Sequence, residues 1–261
     1  MKNGWVGKKV VEAFGYRVRF LWNVEEFEEF VDQVILPGWA QGGEEFDTEF
    51  RLVQEEDTIV IEHDDERPRP WNTHDSTADS LRQLVHIDIA SYAPDLVFVH
   101  AGVVLGPSGV IILPGRSFAG KSTLTRKLVE KGCAYYSDEY AVIDSQGLVT
   151  PFPRPLSERD PGQPNRLTPP SQLGWHSGLG PARVAAVVST EYKAQARWDP
   201  EEISAGQATL EMFSNTVSAQ LEPLRAMRFL PVVAQGARCW KGPRGEAEET
   251  AELLLDRLHG S

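Results

Sequence analysis

The chain has 261 residues, 41% hydrophobic and 25% charged, the balance of a globular protein that buries a core without staples. Its 38 acids against 26 Lys and Arg give a net charge of −12. That excludes a general binder of nucleic acids or anionic membranes, which works through a basic field. Two cysteines, Cys133 and Cys239, with no C-x-x-C pair, exclude a disulfide framework and a cysteine zinc site and point to a reducing compartment. The first residues include lysines but no apolar core of signal-peptide length, and no apolar run is long enough to span a bilayer. A cytoplasmic location is therefore expected.

Residues 1–94 read as a small α/β unit. Residues 15–22 alternate and predict a strand. Asn23 is placed to cap a helix whose apolar positions, Val24, Phe27, Phe30, Val31 and Val34, recur at helical spacing. A glycine-rich link at 38–43 precedes two strand-like runs, 49–54 and 58–62, which flank Glu55-Glu56-Asp57 as a hairpin. Pro68 and Pro70 mark 64–73 as loop. Residues 76–92 predict a helix with Leu81, Leu84, Val85, Asp88 and Ile89 on one face, ended by Pro94. His86 in this helix reads as an ordinary surface or half-buried side chain.

From residue 95 to 261 a larger domain follows. Residues 96–99 lead into His100, 101–104 continue the apolar run, and Gly106-Pro107-Ser108-Gly109 turns the chain into a second strand at 110–113. A helix is expected from Thr123 to Lys131, terminated by Gly132. Strands at 134–137 and 140–144 are interrupted by Asp138-Glu139, and Ser145-Gln146-Gly147 turns into 148–150. Residues 151–181 hold eight prolines and predict a long loop without regular structure. Such a loop beside a ligand site is more often functional than idle. A buried strand at 182–189 comes next, then a helix from the Ser204/Gln207 capping box to Val217. A short helix at 222–229, a strand at 231–233 and a closing helix at 246–258 complete the chain.

Between the strand at 110–113 and its following helix stands Gly115-Arg116-Ser117-Phe118-Ala119-Gly120-Lys121-Ser122, which fills every fixed position of G-x-x-x-x-G-K-[ST]. Strand, loop and helix in that order predict a phosphate-binding loop. Its glycines let successive N–H groups face one phosphate, and the helix N-terminus adds partial positive charge. Residues 115–123, with Thr123 as the last, form the expected cradle. Lys121 would lie along the β/γ-phosphates and the Ser122 hydroxyl would be a Mg²⁺ ligand. In so acidic a chain the positive potential must be local, from Lys121, backbone dipoles and metal.

Phosphoryl transfer also needs a group that takes the acceptor's proton and positive charge on the migrating phosphoryl. Asp138-Glu139 stands at a strand end after the loop helix, where one acid can hold metal while its neighbour faces the acceptor. Asp138 is the candidate metal carboxylate; the plainer alternative is a solvated pair in a turn. His100 beside Glu139 would orient that carboxylate, and otherwise is a core or rim residue. Arg154, Arg159, Arg166 and Arg244 are candidates to neutralise transition-state charge or bind the acceptor, although each alone reads as a surface residue. Arg154 comes first, because Pro153 and Pro155 hold its backbone rigidly.

His100, the loop from Gly115 to Ser122, and Asp138-Glu139 resemble, in order and spacing, the kinase domain of the HPr kinase/phosphorylase family. These are P-loop kinases whose fold is related to phosphoenolpyruvate carboxykinase. The resemblance spans residues 97–144. It implies a P-loop kinase core with a mixed sheet over residues 95–261, with ATP and Mg²⁺ bound there. It also implies that His100 and Glu139 belong to the active site, Glu139 as the acceptor's general base, with Asp138 assisting at the metal. Two departures mark a divergent relative and not an HPr kinase proper. Glu139 stands where the family has aspartate, and the stretch from Pro151 through Arg154 and Glu158 to Arg159 replaces the family's glycine-rich signature.

The expected function is ATP- and Mg²⁺-dependent transfer of the γ-phosphoryl group to a hydroxyl, on a serine of a peptide or protein or on a small metabolite. Lys121, Glu139, Asp138, His100 and Arg154 form the catalytic set. The alternative is a P-loop NTP-binding switch or NTPase without an acceptor. Asp144-Ser145-Gln146-Gly147 fits the D-x-x-G switch element, yet it reads more plainly as a turn, and no N-K-x-D guanine-reading motif exists. A binding-only relative with a decayed site is a third reading, and the intact loop argues against it. The expected partners are the nucleotide and the peptide, protein or small-molecule acceptor, with a homo-oligomer admitted and no nucleic acid or membrane.

Overall fold

Phe14 and Gly15 both adopt positive φ, 57° and 75°, the backbone a two-residue hairpin turn demands. They join β1 (Gly7–Ala13) to β2 (Tyr16–Trp22) as an antiparallel pair. These coordinates belong to a computed structural model that describes residues 4–56, 58–64, 69–71, 74–115, 119–158, 166–176 and 179–259. The chain divides into two units, residues 1–94 and 95–261.

In the first unit, β1 was not among the predicted strands, because its lysines mask the buried Val10, Val11 and Ala13. α1 (Phe27–Val34) buries Phe27, Phe30, Val31 and Val34. Asn23 does not cap it. Its side chain instead accepts from the Gln54 amide at 2.8 Å and donates to the Gln54 carbonyl at 3.4 Å, tying two strands together. β3 (Ala40–Gln41), β4 (Thr48–Glu55), β5 (Thr58–His63) and β6 (Arg69–Trp71) complete a sheet of order β3-β1-β2-β4-β5-β6. The glycine-rich link and the segment 64–73 thus each supply a short strand where loop was expected. Pro70 lies in an edge strand, the place in a sheet that tolerates a missing N–H. α2 (His74–Tyr92) buries Leu81, Val85 and Ile89. His86 is buried too, its Nε2 3.0 Å from the Val34 carbonyl and its ring edge-on to Trp39.

The second unit is organised on β7 (Leu96–Gly106), a strand long enough to pair with different neighbours along its length. It runs antiparallel to β8 (Gly109–Pro114), which leads through the phosphate-loop sequence into α3 (Lys121–Glu130). β9 (Ala134–Ser137), β10 (Tyr140–Asp144) and β11 (Leu148–Thr150) follow. The β10–β11 connection is a turn in which Asp144 Oδ1 accepts from the Gln146 and Leu148 amides, at 2.8 and 2.9 Å. Residues 151–181 are not bare loop. β12 (Leu156–Glu158) pairs with β13 (Arg166–Thr168), and a 3-10 turn covers Pro170–Leu173. Pro161 and Pro164 lie outside the described residues.

β14 (Ala182–Tyr192), β15 (Glu201–Glu202), α4 (Ala205–Phe213), α5 (Pro223–Gly236), β16 (Arg238–Arg244) and α6 (Ala247–His259) close the unit. α4 stops at Phe213, short of Val217, which opens a separate 3-10 turn. α5 is one helix through the expected strand at 231–233. Ala226, Phe229, Leu230, Val233 and Ala234 are buried at helical spacing, so packing overrides Pro231. The carbonyl that the proline ring leaves without a donor is that of Met227, on the exposed side, within reach of water. β16 was not predicted either, since Lys241, Gly242, Pro243 and Arg244 hide its apolar half.

Strand order is β11-β10-β7-β8-β14-β16-β15, with β9 also on β7. β11 pairs with β14 as well, so five strands form a closed circuit of pairings. β8, β14 and β16 are parallel and the other pairs antiparallel, which makes a mixed sheet and an α/β unit. Alternation along β7 sorts its side chains between two cores. Val97, Val99, Ala101 and Val103 join the residues of α4 and α5, while Val104 joins those of α3 and α6. His100 and Gly102 are therefore on the α3 face. Among the described residues no helix is long and apolar enough to cross a membrane.

The capping box of α4 is formed in full. The Gln207 amide donates to Ser204 Oγ at 3.2 Å, and the Ser204 amide donates to Gln207 Oε1 at 2.9 Å. Ser204→Ala is expected to cost about 1 kcal/mol in denaturant unfolding, and Ser204→Gly only a few tenths.

Candidate functional site

Strand register brings the sequence-distant candidates together. Opposite Ala101 of β7 stands Pro114 of β8, and opposite His100 stands Tyr140 of β10. Gly115, the first residue of the loop, therefore flanks His100 on one side, its amide donating to the His100 carbonyl at 3.3 Å. Glu139 flanks Ala101 on the other, its carbonyl accepting from the Ala101 amide at 3.1 Å. Ser137 fixes the turn, its Oγ accepting from both the Glu139 and the Tyr140 amides at 3.0 Å.

The His100 ring joins loop to carboxylate. Nδ1 lies 2.9 Å from the Gly115 carbonyl, an acceptor, so that nitrogen carries the proton. Nε2 faces Glu139 Oε1 at 3.6 Å, the range of an ion pair and longer than a hydrogen bond. The other oxygen of Glu139, Oε2, accepts from the Arg154 guanidinium. Arg154 is set from behind. Its carbonyl accepts from the Tyr135 hydroxyl at 2.7 Å, and its amide donates to the Phe152 carbonyl at 2.8 Å. Phe152 is buried edge-on against Phe98 and Tyr140. The prolines restrict Arg154, but this aromatic cluster places it.

Asp138 turns toward α3. Lys121, Ser122 and Thr123 are the first three residues of that helix, behind Gly120 at its N-cap. The Ser122 hydroxyl hydrogen-bonds the Asp138 carboxylate, and the Lys121 ammonium is close enough to act on it. Burial pushes the Asp138 carboxyl up to about 7, against the Ser122 hydrogen bond and Lys121, which pull it down. Burial likewise lowers Lys121, with Asp138 and then Glu139 opposing. Asp138 Oδ1 is inaccessible to solvent and has no hydrogen-bond partner among the described residues. A hydroxyl and a carboxylate with an unmet oxygen are the all-oxygen donors a hard divalent cation takes beside substrate phosphates. Among the described residues no group of three or more His, Cys, Asp or Glu could hold a metal by itself. The fit is to a phosphate-borne Mg²⁺, not to a cage.

Gly120 is left-handed, with φ of 79°, and a Cβ there would collide with the Arg244 guanidinium. Arg244, read from sequence as a surface residue, is 2% exposed. It donates to the Gly120 carbonyl at 2.7 Å and to the Gly245 carbonyl at 2.8 Å, with Tyr192 beneath it at 5.5 Å. Its Nε is buried without a partner among the described residues, and burial lowers its pKa. No local pattern foretells this contact, because it joins residues 124 positions apart. Gly102 did leave a signal, an isolated glycine in an apolar strand. A side chain there would strike Thr125 Oγ1, so its absence lets the first turns of α3 lie against β7.

Arg116, Ser117 and Phe118 of the loop and Arg159 lie outside the described residues, as does the side chain of Arg166. Of the loop, Gly115, Ala119, Gly120, Lys121, Ser122 and Thr123 are described. His100, Glu139 and Arg154 form one contacting group, and Lys121, Ser122 and Asp138 another beside it. Comparison of the chain with known protein families, curated proteins and solved structures yields no match.

Arg244 tests how much the loop leans on a remote residue. Arg244→Met keeps the packing volume while removing a buried cation, so global stability is expected to stay within about 1 kcal/mol of wild type. Hydrogen exchange should nonetheless quicken at the first turn of α3, where the Leu124 amide bonds the Gly120 carbonyl at 3.2 Å. Equal exchange in both proteins would show that Arg244 only fills space.

Proposed function

We propose that the protein is an ATP- and Mg²⁺-dependent kinase, related to the HPr kinase type, that transfers a γ-phosphoryl group to a hydroxyl. The observation that carries this reading is Glu139. It stands across β7 from the first residue of a phosphate-loop sequence, with one oxygen toward His100 and the other on Arg154. A nucleotide-binding switch without an acceptor needs no such carboxylate base.

In this reading the loop amides and Lys121 hold the triphosphate, and Ser122 with Asp138 hold the metal. Bound there, Mg²⁺ would neutralise charge on the β- and γ-phosphate oxygens. The acceptor oxygen attacks the γ-phosphorus and its proton passes to Glu139. The bond from the γ-phosphorus to the bridging oxygen breaks, and ADP leaves with the electron pair. His100, anchored through Nδ1 on Gly115, keeps Glu139 aligned with the loop. Arg154 bonds the Glu139 carboxylate at rest and is the cation assigned to offset charge on the migrating phosphoryl group.

Calorimetry with ATP and Mg²⁺, and mass spectrometry of pooled hydroxyl acceptors, separate the roles. Lys121→Ala should weaken ATP binding at least about tenfold. Glu139→Gln should leave that affinity unchanged and slow transfer by about 10² to 10⁴, the usual contribution of a general base. The kinase reading fails if wild type and both variants release phosphate equally and no acceptor gains mass.

A further inference from the structure

The parallel strands β8, β14 and β16 end on a cavity of about 930 Å³. Crevices at the carboxyl ends of parallel strands are where open α/β sheets bind ligands. This one starts at the phosphate loop, with Pro114, Gly115 and Ala119 in its wall, and ends at the last turn of α4 and Asn215. The carbonyl of Asn215 accepts from the His100 amide at 2.7 Å, and that of Gly115 receives the His100 ring. The cavity is thus joined to the His100–Glu139 pair through both of its ends.

Its lining is acidic. Among the described residues of the wall, Glu191, Asp199, Glu201 and Glu211 stand with one cation, Lys241. Lys241 is matched with Glu211 at 2.6 Å, and Asp199 with Arg257 at 3.3 Å. Glu201 stands opposite Lys241 in the β15–β16 pairing and shares that one ammonium with Glu211, while Glu191 has no cationic partner among the described residues. A second observation points to a ligand. Ser189, also in the wall, is 6% exposed, and its Oγ is buried with no hydrogen-bond partner among the described residues. An unmet buried hydroxyl is costly unless something binds it.

We infer that this cavity seats the phosphoryl acceptor, and that the acceptor carries an ammonium or guanidinium group close to its hydroxyl. The inference rests on the kinase reading for the word acceptor, but the charge argument is independent of it. A nucleoside brings no cation to offset Glu191 and the acids that share Lys241, and its phosphates add negative charge nearby; a cationic hydroxyl compound offsets both. A volume of this size holds a small molecule or a few residues of a peptide. Ser189 supplies a hydrogen bond, and the opening at Gly115 directs the hydroxyl to the loop.

The full-length chain is tested first with spermidine, a cation that cannot be phosphorylated on a hydroxyl, by calorimetry. Spermidine is expected to bind, and the double variant Glu191→Gln/Glu201→Gln to bind it about tenfold more weakly while ATP affinity stays at the wild-type value. In transfer assays acetyl-Lys-Ser-Lys-amide, or ethanolamine if the source is a small amino alcohol, should be phosphorylated in preference to acetyl-Glu-Ser-Glu-amide. Equal spermidine binding by wild type and double variant overturns the inference. So does a loss confined to ATP, which would make the cavity the nucleoside seat. Failure of the kinase reading shows elsewhere, as ATP binding indifferent to Lys121→Ala.

Discussion

His100 is held by its own peptide groups before its ring makes any contact. The amide donates to Asn215, the carbonyl accepts from Gly115, and the next amide donates to Glu139. The bonds to Gly115 and Glu139 continue the ladders to β8 and β10, the bond to Asn215 extends an isolated bridge from Val99 to Thr216, and together they set the spacing between the loop, the histidine and the carboxylate. A slip of one residue in either ladder would turn His100 to the α4 and α5 face, where Val99 and Ala101 are buried. The apolar packing on that face opposes the slip, so ordinary core hydrophobicity guards the geometry of the polar site.

Charge is distributed just as unevenly. The chain as a whole is acidic, yet the α3 face collects Lys121 and Arg244, both lowered by burial. A buried guanidinium that bonds only carbonyls gives up much of its hydration for modest return. Such an arrangement favours an anion nearby. At the carboxyl ends of β8, β14 and β16 the cavity gathers carboxylates. The loop sits where the two fields meet.

Much of this was legible from residue order. Alternation and turn residues gave β7, β8, β9, β10 and β14, and the loop pattern fell between a strand and a helix as its chemistry requires. His100, Asp138 and Glu139 were recognisable as a group from their order and spacing about the loop sequence, although β7 runs on through His100 instead of ending there. What escaped notice depended on partners far along the chain. Asn23 has the composition of a helix cap, but a strand edge offered its amide two bonds. Pro231 signals a break, yet five buried side chains at helical spacing outweigh it. Arg244 looks like surface from its neighbours Gly242, Pro243 and Gly245, and only the parallel pairing of β16 with β14 carries it to Gly120. The acids of the cavity are scattered over β14, β15, α4 and the turn before β15, so no local window reveals them.

The bond from Arg244 to Gly120 also bears on the order in which the protein matures on the ribosome. Synthesis is vectorial, and earlier units fold while later ones are still being made. The loop, α3 and the strands around His100 emerge long before residue 244. Until β16 docks beside β14, the Gly120 carbonyl has only its helical partner, and the first turn of α3 lacks its anchor. A nascent chain therefore carries a complete phosphate-loop sequence without the support that shapes it. The anchor of the first turn of α3 is, on this geometry, among the last features the polypeptide acquires, and a chain cut before its final strand would keep the motif and lose that anchor.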